Sequence, residues 1–227
     1  MIRTAAVLLA LAFLGGRANA QDSAADAAAK AAFKKMAEKF KDLRTLSAKV
    51  VQQRRTELMD KPLLSSGTMY YRREPARLVF LLTEPRKAEI HMDRTSYQVY
   101  RPDEKRLERT DFTGEDVSGK ILMAFEPKTD EVGKAFVIRG GESRDGKIEV
   151  RLESSDEKVR KRLRRVSLTI AEADGALQRI VYVDGEGDEV QFDLSDVALN
   201  PELSPDVFTL KTPEGTRVLR RSLPADK

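Results

Sequence analysis

The 227-residue chain has no cysteine, no tryptophan and a single histidine. Without cysteine it has no disulfide framework, no thiolate zinc site and no cysteine nucleophile. One histidine excludes a metal centre built from several imidazoles. No long hydrophobic run exists beyond the N-terminal region, so nothing later in the chain approaches the ~20 apolar residues of a membrane-spanning helix. What is present is 34% charged and 41% hydrophobic residues, the balance of a soluble globular domain.

The first twenty residues read as an export signal. Arg3 supplies the positive start, Ala5 to Leu14 is an unbroken apolar run, and Ala18-Asn19-Ala20 is a small-residue cleavage site. Ten apolar residues are too few to span a bilayer, so cleavage after Ala20 is expected, leaving one domain over 21–227. No cysteine follows the cut, so the product is not itself lipidated there. The leader carries Arg3 and Arg17 and no acid. The 41 basic residues therefore fall to 39 against 37 acidic ones, and the net charge from +4 to +2. Near-neutrality and export together argue against nucleic acid as a partner.

Periodicity divides the exported part. Residues 22–43 predict a helix with Phe33, Met36, Ala37, Phe40 and Leu43 on one stripe and lysines opposite. From Leu46 the period becomes two, first through Ala48 and Val50 and then in Gly67-Thr-Met-Tyr-Tyr. Further strands place Leu78, Phe80 and Leu82 on one face, then Ala88, Ile90 and Met92, then Tyr97 and Val99. Val117, Ile121, Leu122 and Phe125 interrupt with a short amphipathic helix that Pro127 ends. Strands resume through Phe136 and Ile138, then Ile148, Val150 and Leu152, then Val166, Leu168 and Ile170, then Ile180 and Tyr182, then Val190, Phe192 and Leu194. Asp145-Gly146, Asp174-Gly175 and Glu186-Gly187 predict hairpins. Such short links make an antiparallel meander. The fold expected is mainly β: one unclosed half-barrel of about ten or eleven strands, covered by the N-terminal helix and the short mid-chain helix.

Four stretches, in order, resemble the outer-membrane lipoprotein carrier (LolA-type) family. Leu46-Ser-Ala-Lys-Val-Val-Gln52 resembles its post-helix strand, with Val50 in place of the aromatic. Gly67-Thr-Met-Tyr-Tyr and Pro75-Ala-Arg-Leu78-Val-Phe80 are similar to its next two segments. Asp93 through Tyr100-Arg-Pro102 is similar to its central hairpin. Asn200 and Phe208-Thr-Leu-Lys-Thr-Pro213-Glu-Gly215 are similar to its C-terminal segment. Departures are Glu74 where the family has arginine before proline, Arg94 for the hairpin glycine, and Gln98 for an aromatic.

The resemblance implies a periplasmic carrier, not an enzyme and without a cofactor, that shelters lipoprotein acyl chains. It implies loading from an inner-membrane lipoprotein-releasing ABC transporter and delivery to an outer-membrane acceptor, with the carrier a monomer. A sensor module on the same fold, or a carrier of another lipid such as a glycolipid, fits the same sequence. The expected cavity wall is Leu78, Phe80 and Leu82 with Ile90 and Met92 on one side, and Val150, Leu152, Val166, Leu168 and Ile170 on the other. Val117, Ile121, Leu122 and Phe125 form the expected lid, and Arg72 and Arg73 beside Glu74 its candidate latch.

Three further features stand apart from that resemblance. His91 lies out of phase with Ile90 and Met92 and is expected to face solvent. Glu115-Asp116 and the trio Asp184, Glu186 and Asp188 lack the loop length and bidentate glutamate of an EF-hand, so no metal site is expected. The basic run 158–165 is expected to be an extended hairpin tip, with Arg160, Arg162 and Arg164 on one face as a docking surface for anionic headgroups or an acidic partner.

Overall fold

Twelve strands form one sheet in the computed structural model, which describes residues 15–57, 59–112, 136–154 and 157–223. Helix α1 (Gly15–Lys39) comes first. It is followed by β1 (Thr45–Arg55), β2 (Leu63–Arg72), β3 (Arg77–Glu84), β4 (Ala88–Met92), β5 (Ser96–Arg101) and β6 (Arg106–Phe112). The second run is β7 (Phe136–Arg144), β8 (Lys147–Ser154), the short α2 (Glu157–Arg162), β9 (Leu163–Ala171), β10 (Leu177–Asp184) and β11 (Glu189–Leu199). A 3-10 turn at Pro205–Phe208 then leads to β12 (Arg217–Leu223).

The strand order is β12-β6-β5-β4-β3-β2-β1-β11-β10-β9-β8-β7, which makes an open sheet with β12 and β7 at its edges. Two meanders, β1 to β6 and β7 to β11, meet where β1 pairs with β11. The hairpins fall at the glycines expected: Asp145 and Gly146 both take positive φ (53° and 69°), as a two-residue turn matched to strand twist requires.

Two expectations need correction. The sheet has twelve strands rather than ten or eleven, and the additions are β6 and β12. Nor is it wholly antiparallel, because β12 runs parallel to β6. To reach β6 from β11, the chain from Asn200 to Thr216 must pass β1 through β5. Phe208 in that passage lies under the Arg72 guanidinium, 4.6 Å from its ring centre. Arg72 points away from the face that carries Met69 and Tyr71, so the passage crosses the convex side. The expected lid helix, residues 115–131, lies outside the described residues.

The concave side holds the main core. Phe33 and Met36 of α1 and Phe40 just after it are 3%, 0% and 1% exposed. They pack with Leu46, Val50, Met69, Tyr71, Val150, Leu168 and Ile170 of the sheet. Burying each large apolar side chain contributes roughly 1.5–3 kcal/mol, so this helix is bound by its stripe rather than by local propensity. It packs against β7, β8 and β9. At Gly140 the approach is close enough that a Cβ would stand 2.3 Å from the Ala25 carbonyl carbon.

Candidate functional site

Curvature decides what the concave side contains. Phe80 on β3 and Phe192 on β11 stack with ring centres 5.0 Å apart, and Tyr182 on β10 lies 6.3 Å from Phe192. Strands β3 and β11 are three steps apart in the sheet, about 14 Å if it were flat. The sheet therefore curls until its two halves touch through aromatic rings. On the α1 side of that contact the interior is packed.

On the other side it is hollow. A cavity of about 670 Å3 opens between the concave faces of β1 to β5. Its apolar wall is Leu82, Ala88, Ile90 and Val99, with Leu63 and Leu64 at the margin. Both margin leucines are more than half exposed. Gln52, Ser65 and Tyr97 add polar groups, and Arg54, Pro85, Arg86, Lys87, Arg101, Asp103 and Glu104 complete the lining.

The polar wall is partly neutralised from outside. Arg54 donates to Asp188 at 2.6 Å, Arg101 to Glu108 at 2.8 Å, and Arg106 holds Glu104 at 2.9 Å. Burial pushes the Tyr97 phenol up, against the opposing pull of Arg54 and Arg101. Burial also raises the Tyr182 phenol, assisted by Tyr97. Both phenols are therefore neutral hydroxyls at physiological pH.

The residues expected to wall the cavity divide between the two regions. Leu82 and Ile90 line it. Leu78, Phe80, Val150, Leu152, Leu168 and Ile170 belong to the buried core, as does Leu82 at its boundary with the cavity, and Met92, Val166 and Ile90 pack against that core half-buried. All ten pack in or against one core cluster, but alternation carries no information on how α1 lies along that face. Val99, Ala88 and Tyr97 also line the cavity, and nothing in their strand pattern sets them apart from other strand residues. The lid residues Val117, Ile121, Leu122 and Phe125 lie outside the described residues, as do Glu115 and Asp116.

The three latch candidates have separate positions. Arg73 donates to the carbonyls of Phe40 and Lys41 at 2.8 and 3.0 Å, satisfying the C-terminal end of α1. Arg72 stacks on Phe208 on the convex face. Glu74 is exposed ahead of Pro75. From the other side, Asn200 accepts from the Arg44 amide at 2.6 Å and donates to the Asp42 carbonyl at 3.1 Å. Arg73 and Asn200 thus fix the turn between α1 and β1, and Asn200 adopts φ 56°, a conformation asparagine tolerates.

Three other expectations meet the structure differently. His91 does not face solvent: it is 4% exposed. It is out of phase with Ile90 as read, but the convex face of β3 to β5 is itself buried, with Val79 1% and Tyr100 4% exposed. The basic run is not an extended tip. Residues 157–162 form α2, so Arg160, Arg162 and Arg164 do not alternate on one strand face. Arg160 donates to the Ser154 carbonyl and Arg164 to the Gly185 carbonyl. The acidic trio shapes a hairpin: the Asp184 carboxylate accepts from the amides of Glu186 and Asp188.

The family profile for outer membrane lipoprotein carrier protein LolA matches residues 41–211. The chain belongs to the LolA family. The matched span begins after α1 and covers both meanders and the convex crossing through Phe208. Similar solved structures include an uncharacterized conserved protein of Thermus thermophilus, 12% identical over 83% of this chain and 97% of that one, with a TM-score of 0.48. A LolA superfamily protein of Nitrosomonas europaea is 17% identical over 80% of this chain and 97% of that one, at 0.43. The Mycobacterium tuberculosis lipoprotein LppX is 15% identical over 78% and 98%, at 0.41. No curated protein sequence matches the chain.

Proposed function

We propose that this protein is a non-catalytic carrier of acyl chains in the cell envelope, acting in the periplasm after loss of its first twenty residues. The observation that carries the reading is the division of the half-barrel interior by the Phe80–Phe192 stack. One part is packed beneath α1, and the other is an open 670 Å3 cavity with an aliphatic wall. A concavity with an apolar wall and polar groups placed at one side is a general form of a small-ligand site. Burial of an acyl chain releases roughly 0.8 kcal/mol per methylene, on the order of 10 kcal/mol for a long chain. That is enough to compete with a membrane and still permit release.

Family membership favours lipoproteins as cargo, taken from an inner-membrane ABC transporter and passed to an outer-membrane acceptor. A second reading, carriage of another lipid, is favoured by the cationic lining of the cavity. Purification of the protein from envelope extracts without detergent, followed by mass spectrometry of what it holds, tests the proposal. Recovery of a bound lipoprotein supports the first reading and of a free lipid the second. A folded protein that neither carries nor takes up any acyl chain contradicts both.

A further inference from the structure

The cavity is amphipathic, and its unbalanced charge sits in one place. Of the four cations that line it, Arg54 is paired with Asp188 and Arg101 with Glu108. Arg86 and Lys87, adjacent on the turn from β3 to β4, have no ion pair or hydrogen bond among the described residues, and both are exposed. Of the two lining acids, Glu104 is held by Arg106, which leaves Asp103. The mouth of the cavity therefore presents an arginine and a lysine that no acid among the described residues pairs with. A guanidinium offers the planar fork that matches a carboxylate or phosphate, and an ammonium adds a mobile point charge.

Size sets the second constraint. If a methylene fills roughly the ~30 Å3 share of a liquid water, a sixteen-carbon chain needs about 500 Å3, and the open cavity of about 670 Å3 has room for at least one.

We propose that this cavity selects a lipid with an anionic head, a long acyl chain lying along Leu82, Ala88, Ile90 and Val99 and the head held by Arg86 and Lys87. The inference rests on the acyl-chain reading above and narrows it to a cargo class. A carboxylate and a phosphate monoester or diester share the required chemistry, so a fatty acid and a phospholipid are the two sources.

Titration below the micellar range separates the outcomes. The ligands are palmitate, palmitoyl lysophosphatidylglycerol, neutral monopalmitoylglycerol and two-chain dipalmitoylphosphatidylglycerol. The proteins are wild type and the double variant Arg86→Gln/Lys87→Gln, whose exposed, unpaired positions leave thermal unfolding unchanged. The expected result is one equivalent of anionic single-chain ligand bound at least tenfold tighter than monopalmitoylglycerol. The double variant should lose that advantage while its affinity for the neutral ligand stays the same. Whichever of palmitate and the lysophospholipid binds more tightly identifies the head. Equal affinity for charged and neutral ligands, or an unaltered double variant, overturns the headgroup assignment and leaves acyl-chain carriage standing. Dipalmitoylphosphatidylglycerol should also lose affinity in the double variant, and equal binding of it by both proteins likewise overturns the headgroup assignment. No binding of any of the four by folded protein removes the carrier reading as well.

Discussion

Phe80 and Phe192 stack at 5.0 Å with their planes 23° apart, although three strand steps separate β3 from β11. This contact closes the half-barrel across its middle and separates packed core from open cavity. Stacked aromatic pairs contribute about 0.5–1.5 kcal/mol beyond their buried area. A double-mutant cycle with Phe80→Ala and Phe192→Ala should return a coupling in that range. Phe80→Ala alone, at a 6% exposed position, should cost about 3–5 kcal/mol in urea unfolding. Strictly additive losses would mean that the two halves of the sheet do not depend on each other through this contact.

Arg73 is the second structural tie. Its two hydrogen bonds to the Phe40 and Lys41 carbonyls, just past α1, are charge-assisted, and bonds to charged groups contribute about 1.5–3 kcal/mol. Arg73→Ala should destabilise by that amount and accelerate amide exchange at Phe40 and Leu43, whose amides bond to Met36 and Phe40. Arg73→Lys should recover only part, since lysine lacks the fork that reaches both carbonyls. Full recovery by lysine would show that charge alone matters at this position.

Helix α1 also depends on the absence of a side chain at Gly140. Any Cβ there meets Ala25 backbone at 2.3 Å, and the Gly140 amide donates to Asp26 at 2.7 Å. Gly140→Val should therefore cost about 1–3 kcal/mol through forced displacement, with loosened α1 amides and little change in the β1 to β5 cavity. Ligand affinity that falls in proportion to stability would contradict the separation of core from cavity.

His91 predicts a pH dependence. Burial, and secondarily the Arg77 charge, hold its imidazole well below the ordinary value, at about 4. The unfolded chain then binds the proton more readily than the folded one between pH 6.5 and 4. Stability is complete above about 6.5 and is lost as pH falls towards 4, by on the order of 3 kcal/mol. Burial raises the neighbouring Glu89 carboxyl, which acts in the opposite sense at the lower end of that window. The difference between wild type and His91→Leu isolates the histidine: the leucine variant should lack this decline. Parallel pH profiles for the two proteins would show that the imidazole is not desolvated.

Much of this architecture was legible because burial on one face imposes a period of two, and glycine turns mark where the chain reverses. Leu78, Phe80 and Leu82 could be assigned a face on that ground alone. Strands β6 and β12 were not legible. Arg106-Leu-Glu-Arg-Thr-Asp and Arg217-Val-Leu-Arg-Arg-Ser lie at one edge of the sheet, where neither face demands an apolar series, and their parallel pairing depends on a connection across five strands. His91 was misplaced for a related reason. Its phase gave the convex face correctly, but the burial of that face is a tertiary fact that no local pattern contains. The cavity escaped in the same way, since the alternation that placed Leu82 and Leu168 on one face could not say which of them α1 would cover.

The most direct test of the account is where a bound chain lies. A fatty acid with a photoactivatable group near its tail, irradiated on the folded protein and mapped by peptide mass spectrometry, should label β3, β4 and β5 around Leu82, Ala88, Ile90 and Val99. Ile90→Trp, which fills the space, should abolish that labelling while the protein stays folded. Labelling that instead falls on Leu168, Ile170 and the α1 stripe, and survives Ile90→Trp, would contradict the cavity as the carrying site.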